Sequence, residues 1–98
     1  MMPEFEWDAR KAEANLKNHG VSFEGALTVF ADSLGRIFDD LDHSTSEHRE
    51  LIIGHSAKHR LLVVSFTGPK ARTRIISARE VTARERRDYE ENKDRRPT

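Results

Sequence analysis

Basic residues gather in one stretch of this 98-residue chain, between residues 70 and 87. Arginine suits phosphate binding, because its planar guanidinium stays charged and can bind two phosphate oxygens at once. The whole chain has zero formal net charge, so a basic excess here must be offset elsewhere. Against Glu80 and Glu85 the stretch holds seven basic residues: Lys70, Arg72, Arg74, Arg79, Arg84, Arg86 and Arg87. It is a candidate phosphate-binding surface.

Acidic residues are concentrated in a different window, from Asp32 to Glu50. Arg36 and Arg49 lie there among six acidic residues: Asp32, Asp39, Asp40, Asp42, Glu47 and Glu50. Such asymmetry within a small chain indicates a nucleic-acid-binding face and a separate face of another kind. The alternative is that the two sets of charges meet in the fold and form an ordinary solvated surface.

Length and composition indicate one domain, which we place at residues 1–91, followed by a flexible tail at residues 92–98. The chain has no cysteine, which excludes disulfides and thiolate metal ligands. No apolar run approaches the roughly 20 residues that a membrane-spanning helix needs, and the first residues do not begin a signal peptide. We therefore expect a soluble, cytoplasmic protein without membrane contact.

Capping residues predict two helices after a short first strand at residues 4–7. Asp8 is typical of a helix N-cap and Gly20 of a left-handed C-cap, so the first helix spans residues 9–19. Ser22 predicts the start of a second helix. The apolar residues of that helix recur at helical spacing: Phe23, Ala26, Leu27 and Phe30.

Four further strands are predicted, at residues 35–39, 49–54, 60–66 and 72–77, and their short turns are typical of an antiparallel meander. The polar stretch 40–47 is predicted to be an exposed loop. A last helix begins at Thr82, which forms a capping box with Glu85. The order β-α-α-β-β-β-β-α indicates an α+β fold. It has a twisted antiparallel sheet packed against the two N-terminal helices, with the C-terminal helix at an edge.

Two blocks of this sequence together resemble the BrnT family of toxins from bacterial type II toxin–antitoxin systems. The first block comprises Phe5-Glu6-Trp7-Asp8, Lys11, Asn15, Lys17 and His19-Gly20-Val21-Ser22-Phe23-Glu24, and the second Arg74-Ile75-Ile76-Ser77-Ala78-Arg79, Glu85-Arg86 and Tyr89. The resemblance implies a RelE-like fold and ribonuclease activity that arrests translation. It also implies a BrnA-type antitoxin that neutralises the toxin and represses the shared operon, with a 2:2 hetero-oligomer as a further expectation.

RNA can be cleaved without a metal or cofactor when its own 2′-hydroxyl attacks the neighbouring phosphate. The protein then has to accept a proton, stabilise the charge on the phosphate oxygens and protonate the leaving oxygen. We assign the phosphate to Arg79, at the junction of strand and helix, and to Arg74 in the strand. Strict alternation puts Arg72 and Arg74 on one face of this strand and Ser77 on the opposite face. The alternative for Arg72 and Arg74 is a solvated outer face of the sheet.

The proton-transfer residue is less clear from the sequence. Histidine titrates in the right range, and five are present: His19, His43, His48, His55 and His59. We assign catalytic roles to His19 and Glu85, although capping of a helix end would account for either residue. For Arg79 the alternative is a structural ion pair with Glu85 or Glu80. The two histidines of the predicted 55–59 turn lack an acidic residue at ligand spacing, so no metal site is predicted.

Further RNA contacts are assigned to basic residues and one aromatic residue: Lys11, Arg72, Arg84, Arg86 and Tyr89. Tyr89 either stacks on a base or anchors the last helix to the sheet. A neutral chain is a poor general RNA binder, so another surface such as the ribosome is a candidate for presenting the RNA. The rival hypothesis is a non-catalytic module whose basic face docks an acidic protein partner.

Overall fold

The computed structural model describes residues 4–40, 48–69, 71–93 and 95–97. These residues form strands and α-helices in the predicted order, β-α-α-β-β-β-β-α. The strands are β1 (Glu4–Glu6), β2 (Arg36–Asp39), β3 (Arg49–His55), β4 (Leu61–Thr67) and β5 (Arg72–Glu80), and the helices are α1 (Ala9–His19), α2 (Phe23–Leu27) and α3 (Ala83–Glu90). In the described ranges, no helix is long and apolar enough to cross a membrane.

The helices begin at their predicted N-caps, and α1 also ends at its predicted C-cap. The Asp8 carboxylate accepts hydrogen bonds from two backbone N–H groups of the first turn of α1, at 2.9 and 3.0 Å. Gly20 ends α1 in the left-handed conformation, with φ of 68°, which glycine adopts without steric cost. The Ser22 hydroxyl accepts from the first turn of α2 at 2.9 Å. The helical apolar pattern extends to Phe30, but α2 ends at Leu27 and a 3₁₀ turn at Thr28–Ala31 continues it.

All five strands form one sheet in the order β1-β5-β4-β3-β2. Strands β2 to β5 form the predicted antiparallel meander. Strand β1, however, pairs with β5 in parallel, with Glu4 opposite Arg72. The sheet is therefore mixed rather than purely antiparallel. Parallel neighbours need a long connection, which the elements between β1 and β5 provide.

Apolar side chains cover both faces of the sheet. On the helix face, α1, α2 and the 3₁₀ turn cover the main core, which includes Phe23, Val29, Ile52, Val64 and Ile75. The other face carries a smaller cluster of Ile53, Leu61 and Val63, with Val81 and Tyr89 packed against it. We call this second surface the α3 face. The C-terminal helix thus lies over a sheet face and not at an edge, because its Tyr89 side packs on this second apolar cluster.

A β-bulge decides which side chains of β5 lie on the α3 face. Pairing with β4 skips one residue of β5, Ile76: the flanking pairs are Ser65–Ser77 and Phe66–Ile75. An extra residue shifts the alternation of a strand by one position. The prediction that Ser77 lies opposite Arg74 is therefore wrong. Arg74, Ser77 and Arg79 all lie on the α3 face.

The predicted exposed loop at residues 40–47 is described at its first residue only, and residues 41–47 lie outside the described part of the chain. Asp40 is buried rather than exposed. Its backbone N–H donates to the carbonyl of Arg49 at 2.9 Å, which continues the β2–β3 pairing by one residue. The hairpin therefore extends further than the polar sequence indicated.

The chain turns back after α3. Asn92 is left-handed, with φ of 59°, and the backbone N–H of Lys93 donates to the carbonyl of Asp88 at 2.8 Å. Pro97 is buried. A flexible tail at residues 92–98 stays a prediction, and these contacts locate its described residues against the α3 face.

Candidate active site

A cavity of about 280 Å³ opens on the α3 face, over β3, β4 and β5. Its polar lining comes from elements far apart in the sequence: His19, Asp40, Arg49, Ser65, Ser77 and Arg79. The volume is near the lower end of the range of about 300–1,000 Å³ found for ligand pockets. Two arginines, a histidine and a carboxylate around one small hollow suit an anionic ligand and proton transfer beside it.

Arg79 reaches this cavity while Glu85 holds its guanidinium. Arg79 Nη1 donates to Glu85 Oε1 at 2.8 Å, and Nη2 donates to Oε2 at 2.9 Å. Nη1 also donates to the carbonyl of Glu80 at 3.1 Å. The Arg79 side chain is 31% exposed, whereas that of Glu85 is 1% exposed. The hydrogen bonds to Glu85 raise the pKa of Arg79, against the opposing effect of burial, so the guanidinium stays charged.

Glu85 also forms the predicted capping box of α3. Its Oε1 accepts from the backbone N–H of Thr82 at 2.8 Å, and its own N–H donates to the Thr82 hydroxyl at 3.2 Å. The carboxylate is therefore shared between a helix end and Arg79. Glu85 does not line the cavity and contacts the site through Arg79. Its direct catalytic role stays a prediction.

Asn15 joins α1 to β5 beside the cavity. Past the end of β1, Asn15 contacts the edge of β5 at Ala78: Nδ2 donates to the Ala78 carbonyl at 2.8 Å, and Oδ1 accepts from the Ala78 N–H at 3.1 Å. Nδ2 also donates to the Val21 carbonyl at 2.9 Å. His19 is one helical turn further along α1 and lines the cavity. The two hydrogen bonds to Ala78 thus fix the residue before Arg79 to the helix that carries His19.

Sequence reasoning missed three polar residues of the cavity: Asp40, Arg49 and Ser65. Asp40 was assigned to a loop, and Arg49 lies in the acidic window, away from the basic stretch. A usable signal was the alternation of Arg49, Leu51 and Ile53 along one strand, because it places all three on one face. Ser65 is the position of β4 that pairs with Ser77.

Other predicted site residues lie outside the cavity lining. Arg74 is exposed on the α3 face, in line with Ser77 and Arg79. Arg72 is exposed and pairs with Glu4 at 3.3 Å and with Glu6 at 3.5 Å. Lys11 is exposed on α1, one turn before Asn15. The catalytic role assigned to Arg74 and the RNA contacts assigned to Arg72 and Lys11 stay predictions.

The sequence from residue 7 to residue 85 matches the family model described as "Ribonuclease toxin, BrnT, of type II toxin-antitoxin system". The chain belongs to the BrnT family. Membership makes it a ribonuclease toxin of a type II toxin–antitoxin system, with RNA as its substrate class and an antitoxin as its partner. The resemblance seen in the two sequence blocks is confirmed.

A solved structure supports the fold of this BrnT-family chain. The crystal structure of the ribonuclease toxin BrnT from Brucella abortus is similar to it, with a TM-score of 0.61. The two chains are 20% identical, and the match covers 84% of this chain and 99% of that chain. A comparison with curated proteins found no match. The predicted α+β fold is confirmed.

Two arginines of α3 are assigned to RNA, and each forms an ion pair with an acidic residue one turn further along the helix. Arg84 Nη1 lies 2.7 Å from Asp88 Oδ2, and the Asp88 side chain is 6% exposed. Arg86 Nη1 lies 3.9 Å from Glu90 Oε2, at the surface. Acidic residues of α3 therefore offset part of its positive charge. This agrees with the alternative given above, in which opposite charges meet in the fold and form an ordinary solvated surface.

Tyr89 lies between α3 and the rest of the fold. Its hydroxyl lies 3.3 Å from Asp32 Oδ2 and 3.4 Å from the Leu34 carbonyl. Its ring contacts His55 edge to face, with 5.5 Å between centroids, and the Arg36 guanidinium lies 5.6 Å from the ring centroid. Burial, with the charge of Asp32, raises the pKa of Tyr89. These contacts describe an anchor for α3, and base stacking by Tyr89 stays a prediction.

One group of described residues has the composition of a metal site. Asp39, His48 and Glu50 bring their ligand atoms within 4.8 Å of one another. His48 Nε2 lies 3.1 Å from Asp39 Oδ1, so an exposed contact between imidazole and carboxylate accounts for two of them. The pairing of Asp39 with Glu50 and of Glu50 with Phe66 places the acids on the helix face, opposite the cavity.

Proposed function

We propose that this toxin is an endoribonuclease that cleaves RNA without a metal, through attack of the 2′-hydroxyl on the neighbouring phosphate. Arg79 stabilises the negative charge on the phosphate oxygens, and His19 transfers the proton. Arg74 assists from the rim of the cavity. Glu85 acts through Arg79, because its two carboxylate oxygens already accept from the guanidinium and from the helix N-terminus.

One observation carries this proposal: His19 and Arg79 line the same cavity, although α1 and β5 are far apart in the sequence. An imidazole, which can accept or donate a proton, then lies beside a permanent cation. Asp40 supplies a carboxylate in the same lining, which makes it the candidate for the second proton-transfer residue. RNA cleavage by the 2′-hydroxyl needs this combination and no further cofactor.

The proposal includes the partners expected of the family. A BrnA-type antitoxin neutralises the toxin by covering the cavity and the exposed arginines of β5, in a 2:2 complex. The reaction takes place in the cytoplasm, and the ribosome is the proposed surface that presents the RNA to a chain of zero net charge. Stoichiometry is measurable by light scattering of the purified toxin–antitoxin complex.

The test is cleavage of purified RNA by the purified protein, in the presence of a chelator and with or without ribosomes. We expect chelator-resistant cleavage by the wild type and a fall of kcat/KM by about 100-fold or more in Arg79→Ala, since loss of one donor to a developing oxyanion has that effect. Because Arg79→Ala removes the cation that pairs with the buried Glu85 carboxylate, a double variant, Arg79→Met with Glu85→Gln, removes both charges together.

Arg10→Ala is the matched control, because Arg10 is exposed on α1 and lies outside the cavity lining. Circular dichroism and thermal unfolding show whether each variant folds. Full activity of a folded double variant would remove Arg79 from the reaction. Absence of cleavage by the folded wild type under every condition would instead favour the non-catalytic module that docks an acidic protein.

A further inference from the structure

Three rows of paired residues cross the α3 face, each running from β3 through β4 to β5. They are Arg49–Thr67–Arg74, Leu51–Ser65–Ser77 and Ile53–Val63–Arg79. The middle row lies in the cavity lining, since Leu51, Ser65 and Ser77 all contribute to it. The rows on either side bring one arginine each to the same cavity, Arg49 and Arg79.

Arg49 and Arg79 enter the cavity from opposite corners. Their partners on β4, Thr67 and Val63, are four residues apart, which is about 13 Å along a strand. The two arginines also lie on strands at either side of β4. Because the two arginines start so far apart and still line one cavity, they face different parts of a bound ligand. Ser65 and Ser77 provide hydroxyl groups between them.

Each of the two arginines has a carboxylate in its surroundings. Glu85 offsets part of the charge of Arg79 and holds its guanidinium in a fixed orientation, so Arg79 directs its hydrogen bonds at one phosphate. Asp40 lies in the cavity lining near the backbone of Arg49. A single strand of RNA offers a negative charge at every nucleotide, and a second cation would therefore improve both its binding and its alignment.

We propose that Arg49 forms a second phosphate subsite, which binds the phosphate next to the one cleaved at Arg79. This inference rests on the proposed function and defines its substrate more closely. The ligand is single-stranded RNA with at least two consecutive phosphates, and the sugar between them lies over Ser65 and Ser77. Arg49 positions the strand, whereas Arg79 contacts the reacting phosphate.

The test uses short DNA oligonucleotides that contain a single ribonucleotide, so that cleavage is possible at one phosphate only. In two further versions an uncharged methylphosphonate replaces the phosphate on the 5′ side or on the 3′ side of the cleavage point. We expect wild-type kcat/KM to fall by about tenfold to 100-fold for one of these neutral versions, the range expected for loss of a charge-assisted hydrogen bond.

Variants of Arg49 test whether this residue causes the slower cleavage of the neutral oligonucleotide. Arg49→Ala is expected to cleave the fully charged oligonucleotide as slowly as the wild type cleaves the sensitive neutral version. It is also expected to cleave the fully charged oligonucleotide and that neutral version at equal rates. Arg49→Lys keeps the charge but loses the planar fork, so it is expected to retain part of the discrimination. The control Arg10→Ala is expected to discriminate like the wild type.

The outcomes separate this inference from the proposed function. Equal cleavage of all three oligonucleotides by the wild type, or undiminished discrimination in Arg49→Ala, overturns the second subsite. If the wild type cleaves none of them, the same comparison is made by fluorescence anisotropy with uncleavable 2′-O-methyl versions. A neutral linkage that weakens binding to the wild type but not to Arg49→Ala then supports the subsite, and an unchanged affinity overturns it.

Discussion

Asp32 keeps its negative charge inside the fold because several groups donate to it. The backbone N–H of His55 donates to Oδ2 at 2.7 Å, and that of Leu34 donates to Oδ1 at 2.9 Å. The His55 hydrogen bond is the largest influence and, with those of Leu34 and Tyr89, lowers the pKa of Asp32 below its ordinary value of 3.8, although burial opposes the shift. The carboxylate thereby joins the 3₁₀ turn, the end of β3 and α3.

Asp32→Asn is expected to weaken the dependence of stability on acid pH. In the wild type the carboxylate stabilises the folded state fully above about pH 5, and this contribution is lost as the pH falls through the lowered pKa of the folded protein. The variant lacks this contribution, so it should be less stable at pH 7, and its stability should fall less between pH 5 and pH 3. Urea unfolding at several pH values measures both effects.

The control for this experiment is Glu13→Gln, on the exposed surface of α1. It should follow the wild-type profile closely, because surface substitutions usually change stability by less than about 0.5 kcal/mol. Parallel acid profiles for Asp32→Asn and the wild type would contradict the role given to Asp32.

Single residues differed in how far their roles were predictable. The caps at Asp8, Ser22 and Thr82 depend on neighbours within a few residues, and the sequence was sufficient to predict them. The pairing of Arg79 with Glu85 was among the alternatives for the same reason. Asp40 and Arg49 reach the cavity only through pairing of β3 with β2 and β4, which local sequence does not encode.

At the level of elements, α1 acts partly as a substitute for a strand. β1 covers β5 only from Arg72 to Arg74, and the amide of Asn15 then satisfies both backbone groups of Ala78 further along the same edge. An unpaired buried N–H or C=O group costs about 1–3 kcal/mol. Asn15 therefore seals an edge that β1 is too short to cover.

Asn15→Ala is expected to lower the free energy of unfolding by about 2–4 kcal/mol, because the Ala78 N–H and carbonyl lose their partner in a buried setting. Chemical denaturation measures the change, and the matched control is Asn18→Ala, an exposed position on the same helix. In hydrogen exchange, the Ala78 amide should lose protection more than the amides at the centre of β4. A loss below about 0.5 kcal/mol would refute the edge-sealing role.

The bulge at Ile76 shows why the sequence did not predict which side chains of β5 share a face. Residues Arg74 to Arg79 read as a regular strand, and strict alternation is the natural prediction for such a sequence. The extra residue becomes visible only when β5 is paired with β4. It rotates Ser77 and Arg79 onto the face that already carries Arg74, which creates the polar row beside the cavity.

For the whole molecule, the number of arginines overstates how positively charged the surface is. Arg72 pairs with Glu4 and Glu6, Arg84 with Asp88, and Arg86 with Glu90. Opposite charges thus meet in the fold, consistent with a formal net charge of zero over 98 residues. Binding of RNA would then depend on a few phosphate contacts in the cavity rather than on a broad basic track.

This difference is measurable as the salt dependence of binding. The logarithm of the association constant falls with the logarithm of salt concentration by about 0.7 per phosphate neutralised on a single strand. Contacts from Arg49 and Arg79 alone predict a slope of about −1.4 for an uncleavable 2′-O-methyl oligonucleotide. Four further contacts, from Arg72, Arg74, Arg84 and Arg86, would steepen it to about −4.

We expect a slope between about −1 and −2, and a change of less than about 0.3 in Arg72→Ala, whose charge is already offset by two glutamates. Arg49→Ala should make the slope shallower by about 0.7, since it removes one of the two contacts. A slope near −4 that becomes shallower in Arg72→Ala would mean that RNA displaces these glutamates and follows β5. In that case, the ion pairs of the free protein would be exchanged for phosphate contacts, and the cavity would be one end of a longer binding surface.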